Sequence, residues 1–378
     1  SITAFVGYTR AGPPDTAVAI NRFADFERCC GGLDSDSPVA YAVRQFFLNG
    51  GTQALVVRVG RDFATAGWVL NDETATPLLT VQASSPGVWG NGVRLSVRHT
   101  GTSTFNLDVA QLQADGTTLK TVETFANLSL QAASATYAPT VVNRTSNLIR
   151  LQPPASDLRP ATVSHLAPAT PGAGQRGNGA DLMGDKAQKT GLYALLTTDL
   201  FNLLTIPETF DMTAGEEAPV IAAAAALCEE RRAFYIVDAP CHRTLGDIDS
   251  WAEHTCQSRN AALYFPALRI ADPLSPGQLR TLAPSGSVAG LYARTDLSRG
   301  VWKAPAGTEA TLLGVTQLTL ALNDAETGFL NPLGINALRG VPAFGFVAWG
   351  ARTRSGGDRY ADEYKYIPVR RTALYIEE

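Results

Sequence analysis

Residues 37–59 read SPVAYAVRQFFLNGGTQALVVRV, and this stretch decides the fold class. Ser37 followed by Pro38 is a helix start. A serine oxygen can accept an orphan amide of the first turn, and proline at the first helical position gives up an amide that had no partner. Val39, Val43, Phe46 and Phe47 then fall on one helical face, and Gly50 and Gly51 end it. Ala54 to Val59 follows as a short apolar run, a buried strand. Upstream, Ser1 to Val6 is a second apolar strand, ended by Gly7. Asn21 is placed to cap a short helix carrying Phe23 and Phe26, stopped by Gly31 and Gly32. The unit is strand–helix–strand and predicts an α/β layer.

From about Val93 the period changes to two. Val93, Leu95 and Val97 alternate with polar residues, as do Phe105, Leu107 and Val109; Asp115-Gly116 is a hairpin signal, and Val141 to Leu151 is a further strand region. Residues 153–187 are rich in Pro, Gly, Ala and polar residues and read as a flexible connection. Helix–strand alternation then resumes. Leu200 to Ile206, Phe234 to Asp238 and Ala261 to Ile270 are strands, with helices at about Pro219–Arg231 and Asp247–Ser258. The expected architecture is an α/β (α+β) core with a mixed sheet, formed by residues 1–90 plus 188–378, with an all-β domain inserted at 91–152. Near the end, Pro368 opens a helix that puts Val369, Ala373 and Ile376 on one face and is still running at Glu378.

Composition excludes several function classes. A net charge of −4 and a pI near 5.7 leave no basic face for phosphates, so no nucleic-acid partner is expected. No apolar run approaches the ~20 residues that span a bilayer, and the alanine-rich stretch Val220 to Leu227 reads as a core helix, so no membrane insertion is expected. The five cysteines (Cys29, Cys30, Cys228, Cys241 and Cys256) are too few, and odd in number, for a disulfide framework.

Four constellations could carry chemistry. Gly172, Gly174 and Gly177 satisfy G-x-G-x-x-G, but a dinucleotide site needs a strand before them and a helix after, and here Pro171 precedes and Gly179 follows. Cys241-His242 with His254 and Cys256 lacks the paired spacing of a zinc site. Asp238 ends a strand just before Pro240, where α/β enzymes often place a carboxylate; Asp before Pro is also a common turn residue. Arg370 and Arg371 could bind an anion, or serve a solvated helix face or an intersubunit salt bridge. No catalytic residue, cofactor or metal is therefore expected, and the chain is read as no enzyme.

Longer stretches are more specific. RGVWKAPA at 299–306 follows AGLYARTD at 289–296. LNPLGIN at 330–336 and WGART at 349–353 come next, and Tyr366-Ile367 and VRR at 369–371 precede YIEE at 375–378. Toward the front stand FADF at 23–26, YAV at 41–43, FFLNGG at 46–51 and WGN at 89–91. In this order they resemble the contractile tail sheath family of phage tails, contractile injection systems and R-type bacteriocins. The likeness is weakest between about Thr100 and Lys189, so the inserted domain rests on pattern alone. The structural positions it marks are Gly300, Trp302, Lys303, Ala304, Pro305, Asn331, Pro332, Gly334, Trp349, Gly350, Arg352, Arg370 and Arg371.

The resemblance implies a structural subunit that stacks as a helical homo-oligomer around an inner tube protein, meets baseplate and terminator proteins, and contracts to drive the tube through a target envelope. It implies synthesis in the bacterial cytoplasm and assembly into a phage tail or phage-tail-like particle. It also implies an N-terminal arm before Ser1 and a C-terminal region after Glu378. The alternatives are an α/β enzyme with a strand-end active site near Asp238, and a baseplate-type interaction module of the same machine.

Overall fold

The computed structural model describes residues 1–113, 116–359 and 362–378. The chain opens with strands β1 (Thr3–Gly7) and β2 (Ala17–Ile20), helices α1 (Phe23–Cys30) and α2 (Pro38–Leu48), and strand β3 (Ala54–Arg58). Ser37 caps α2, its Oγ accepting the Ala40 amide at 3.1 Å. The start of α1 departs from expectation. Arg22 takes the cap position without a side-chain bond to the first-turn amides, and the Asn21 amide donates to Asp25 Oδ2 at 3.2 Å. An acid in the first turn meets the same need as a capping side chain, because the helix N-terminus is electropositive.

A run of short strands follows: β4 (Arg61–Ala64), β5 (Gly67–Asn71), β6 (Pro77–Ala83), β7 (Val93–His99), β8 (Thr104–Leu112) and β9 (Leu119–Ser129). Helix α3 (Ala138–Thr145) comes next, then β10 (Ile149–Leu151), β11 (Val163–Leu166) and β12 (Ala173–Gln175). Sheets ordered β10-β6-β5 and β11-β7-β8-β9 close around one apolar cluster that includes Trp68, Val81, Leu95, Phe105 and Val142, and β12-β4 forms a separate two-stranded pair. The β-rich region is thus larger than 91–152. Trp68 and Leu70 alternate with exposed neighbours, and their buried face points into this cluster and away from the α/β core. Residues 153–187 hold β11, β12 and a short helix, and do not form a structureless connection. Val141 to Leu151, expected as strand, is strand only at β10; its front is the end of α3, because Pro139 starts a helix whose Val142 fills the cluster. β8 and β9 do pair as a hairpin; Asp115 lies outside the described residues. β9, outermost in its sheet, shifts register twice against β8 and carries Lys120 and Glu123.

The remainder comprises α4 (Gly179–Met183), β13 (Leu203–Thr205), α5 (Glu217–Glu230), β14 (Phe234–Asp238), α6 (Ile248–Thr255), β15 (Ala261–Phe265), β16 (Leu268–Ala271), β17 (Leu279–Leu282) and α7 (Ser285–Arg299). It ends with β18 (Gln317–Leu318), α8 (Asp324–Leu330), β19 (Ile335–Val341), β20 (Gly345–Ala348) and α9 (Ile367–Glu377). Ala261 to Ile270 is two strands rather than one. They are separated at Pro266, and β16 joins β17 and β18 in a small antiparallel sheet.

The central sheet runs β2-β3-β1-β13-β14-β15-β19-β20; its six inner strands are parallel, and β2 and β20 are antiparallel edges. Ala4 and Val6 face α5 and α6, while Phe5 and Val56 face α2 and α7. Coverage on both faces is why these strands read as unbroken apolar runs. On the second face α2 and α7 touch backbone to backbone. A Cβ on Gly286 would lie 2.4 Å from Ala42 O, and one on Gly290 would lie 2.4 Å from Phe46 O. Helix α9 buries Ile367, Arg370, Arg371 and Leu374 and exposes Val369 and Ile376, the reverse of the face read from its apolar spacing.

One side chain ties the core to the β-rich region. Arg58, at the end of β3 and 2% exposed, donates from Nε to Thr9 O (2.8 Å) and from Nη1 to Gly12 O (2.7 Å) and Pro86 O (2.8 Å). Its guanidinium lies 4.2 Å from the centre of the Phe63 ring. Burial pulls its pKa down to about 10, still well above neutrality.

These boundaries give a deletion test. β4 and β12 pair antiparallel, with Ala64 opposite Ala173. Replacing residues 65–172 by a short Gly/Ser turn is expected to leave the core folding cooperatively. Replacing only 93–151 bares Trp68, Val81 and their neighbours and is expected to give aggregated protein. Size-exclusion chromatography with thermal melts compares the two.

Candidate assembly site

Asp296 stands in the last turns of α7, where carbonyl groups lacking partners favour a cation over an acid. The cation comes from α9. Arg371 donates from Nη1 to Asp296 Oδ1 at 2.8 Å and from Nη2 to Oδ2 at 2.6 Å, a two-pronged bond between buried side chains. Ser1 completes the cluster: its Oγ donates to Asp296 Oδ2 at 2.5 Å and accepts from Arg371 Nη2 at 2.9 Å. Beneath it the Arg371 guanidinium lies 4.8 Å from the Tyr292 ring centre, and the Tyr292 and Tyr264 hydroxyls share a hydrogen bond of 2.7 Å. Burial pushes the Asp296 carboxyl up, but the Arg371 charge and hydrogen bonds more than offset this, and it titrates below the ordinary value.

Gly300 ends α7 with φ +96°, in the region that favours glycine; its amide donates to Asp296 O at 3.0 Å, and a Cβ would lie 2.4 Å from the Trp302 ring. Trp302 therefore folds back over Gly300, yet stays 69% exposed. Between this turn, Ser1 and α9 opens a cavity of about 640 Å³, rimmed by Trp302 and by Tyr375, itself 70% exposed. Two exposed aromatic rings over a buried ion pair make a surface suited to docking.

The remaining marked positions fall in two further groups. Lys303 reaches Glu309 at 3.7 Å, and Pro305 is buried beyond Ala304. Asn331 and Pro332 form a tight turn that Gly334 closes with φ +70°. Trp349 carries Arg339 against its ring at 5.2 Å, and a Cβ on Gly350 would lie 2.6 Å from Asn336 Oδ1. Asn336 accepts the Arg352 amide at 2.7 Å and donates to Arg352 O at 2.8 Å. The Arg352 side chain reaches Asp358 at 2.7 Å; hydrogen bonds from Lys365 and Arg352 pull the Asp358 pKa down to about 2. Arg370 donates to the buried Asn260 at 2.7 Å and stacks over Tyr364. The expected solvated or intersubunit role for Arg370 and Arg371 is thus corrected. Both are buried within the chain, because α9 lies over two acceptors, Asn260 and Asp296, that need donors.

The chemical candidates separate. Asp238 is 1% exposed and sealed under α7, its Oδ1 accepting the Ser285 amide at 3.0 Å, so it caps that helix from the end of β14. Burial raises its pKa to about 7. Gly172 and Gly174 flank a strand residue rather than opening a helix. Asn91 clamps Gly172 by donating to its carbonyl (2.9 Å) and accepting its amide (2.7 Å), and a Cβ on Gly172 would lie 2.2 Å from Gly87 O. His254 bonds Ser250 O at 2.7 Å, Cys256 is buried and Cys241 is exposed. No cluster of three or more metal-ligating side chains occurs among the described residues. Asp296, Ser1, Asn260 and Asn336 were not singled out in the sequence. The one available signal was an acid at a helix C-terminus, which calls for a nearby cation.

Loss of the Asp296 carboxylate leaves Arg371 buried without its counter-ion. Asp296→Ala is expected to destabilise the chain by about 3 kcal/mol at neutral pH. A depressed folded pKa contributes stability that is complete above the unfolded value of ~4 and is lost as pH falls through the folded one. The gap between parent and variant in urea melts should therefore shrink below about pH 4.

Residues 184–354, which span most of the central sheet and helices α5 to α8, match the phage tail sheath protein central domain family. A comparison with curated proteins gives no match. Among solved structures, the sheath tail protein of Listeria innocua is similar at TM-score 0.68 and 13% identity, covering 99% of this chain and 74% of that one. A chain of the anti-feeding prophage baseplate is similar at TM-score 0.54 and 19% identity, covering 100% of this chain and 67% of that one. A sheath chain of an extracellular contractile injection system, PVC, in its contracted state is similar at TM-score 0.53 and 18% identity, over 100% and 66%. Residues 184–354 thus resemble the sheath central domain, within a fold shared with sheath proteins along nearly the whole chain.

Proposed function

We propose that the protein is the structural subunit of a contractile sheath. The observation that carries this reading is the sheath-family match at 184–354 in the part of the chain that builds the central sheet. In this reading copies assemble helically around an inner tube protein and end against baseplate and terminator proteins. The particle is a phage tail or phage-tail-like device made in the bacterial cytoplasm. The work is mechanical: a core stiffened by a sheet covered on both faces rotates as a body, and the energy lies in the difference between two packings. No catalytic step is needed, and Asp238 has a structural task as the cap of α7.

The rim of the cavity beside Asp296 supplies the proposed contact between subunits. Exposed aromatic side chains that become buried on association carry a large share of binding energy. Negative-stain microscopy of the protein with its cognate tube protein is expected to show striated tubes; dispersed particles under all conditions would overturn the sheath reading. Trp302→Ala should change the stability of the isolated chain by less than about 0.5 kcal/mol. The same variant should lower the assembled fraction in sedimentation at least several-fold.

A further inference from the structure

A cleft of about 760 Å³ lies where the α/β core meets the β-rich region, lined by Ala11 and Gly12, the end of α1, and Ser85 and Trp89 opposite. Cys29, half-buried, lines this cleft; Cys30, the last residue of α1, is 2% exposed and packs into the core. Their Sγ atoms stand 3.0 Å apart. Two adjacent thiols, one facing solvent and one directly behind it, are the arrangement of an attacking and a resolving cysteine.

We propose that Cys29 and Cys30 form a thiol–disulfide switch, oxidised in the folded protein by low-molecular-weight disulfides that enter this cleft. The Cys29 thiolate attacks one sulfur of the small disulfide, forming a mixed disulfide and releasing one small thiol. Cys30 then attacks Cys29 Sγ; its proton leaves with the second small thiol, and a Cys29–Cys30 disulfide remains. Two protein thiols and one small disulfide give one protein disulfide and two small thiols, so atoms and electrons balance. The electrostatics agree with these roles. The hydrogen bond from Cys30 lowers the Cys29 pKa, while the same bond and burial raise that of Cys30. The thiolate therefore forms on the accessible sulfur.

Oxidation has a structural consequence. The ring that closes contains the peptide bond between the two residues, and adjacent helical residues point about 100° apart. The last turn of α1 must open. That turn holds the loop before it: the Ala11 amide donates to Cys30 O at 3.0 Å, and a Cβ on Gly12 would lie 3.1 Å from Cys29 O. Arg58 grips the same loop through the carbonyls of Thr9 and Gly12 while bonding Pro86 O of the β-rich region. The disulfide is thus read at the joint between the two parts of the chain.

The test uses the whole protein carrying Cys241→Ser, to remove the exposed thiol. The folded protein is incubated with glutathione disulfide, quenched with acid and analysed by mass spectrometry and peptide mapping. The expected parent product has lost two hydrogen masses, carries no glutathione, joins Cys29 to Cys30, returns to the dithiol with dithiothreitol, and has lost exchange protection at the Ala11 amide. Cys30→Ser should keep one glutathione on Cys29, and Cys29→Ser should take up none. A persistent adduct on the parent, an unreacted folded protein, or a disulfide using Cys228 or Cys256 would overturn the proposal. Should Cys30→Ser not fold, phenylarsine oxide decides instead. One equivalent, which an adjacent dithiol chelates, is expected to block oxidation, and failure to block it refutes the pair.

Discussion

Strand β1 hydrogen-bonds on both sides to segments that the sequence keeps far apart. Thr3 lies opposite Ala54 on one side and Leu203 on the other. Everything inserted between these segments must leave the sheet and return to it without disturbing three parallel strands. The chain meets this by departing after β3 and coming back through β12, which pairs antiparallel with β4 and so brings exit and return together. The β-rich region can then close around its own apolar cluster, and the central sheet can be covered by helices on both faces.

Arginine performs much of the joining. Of 31 lysine and arginine residues, 26 are arginine, and the buried ones bind carbonyls as often as carboxylates. Arg354, 2% exposed, donates to Ala252 O, Cys256 O, Leu333 O and Gly334 O, so one guanidinium fastens α6 to the turn before β19. A planar fork with several donors suits this task, because it satisfies carbonyl groups at strand and helix ends where a regular ladder stops. Arg58 does the same at the joint with the β-rich region, while Arg371 on the last helix serves a carboxylate instead.

The strand–helix–strand order was legible because α2 and the parallel strands obey local rules. Ser37 and Pro38 start the helix, glycines end it, and strands covered on both faces become apolar runs. The likeness to tail sheath proteins was legible from stretches near both ends of the chain. What stayed hidden is set by contacts distant in sequence. Trp68 and Leu70 alternate like any half-buried strand, and nothing local says that their buried side faces Leu95 and Phe105 rather than the core. Helix α9 was turned the wrong way because Val369 and Ile376 outrank Arg370 and Arg371 in hydrophobicity. Asn260 and Asp296, more than seventy residues upstream, reverse that ranking. The glycines at 172 and 174 mimic a nucleotide loop, while the true constraint is the approach of Gly87.

The open side of the β-rich region bears on the assembly proposed above. An unpaired strand edge repeated on every copy could zip one subunit to the next in the wrong register. β9 resists this: its two slips against β8 spoil a straight row of amides and carbonyls, Asn127 adds a kink with φ +53°, and Lys120 brings a charge that would have to be stripped of water before another strand could dock. In the proposed sheath the chain would thereby carry a safeguard against off-pathway fibres at the high local concentrations that ordered polymers require.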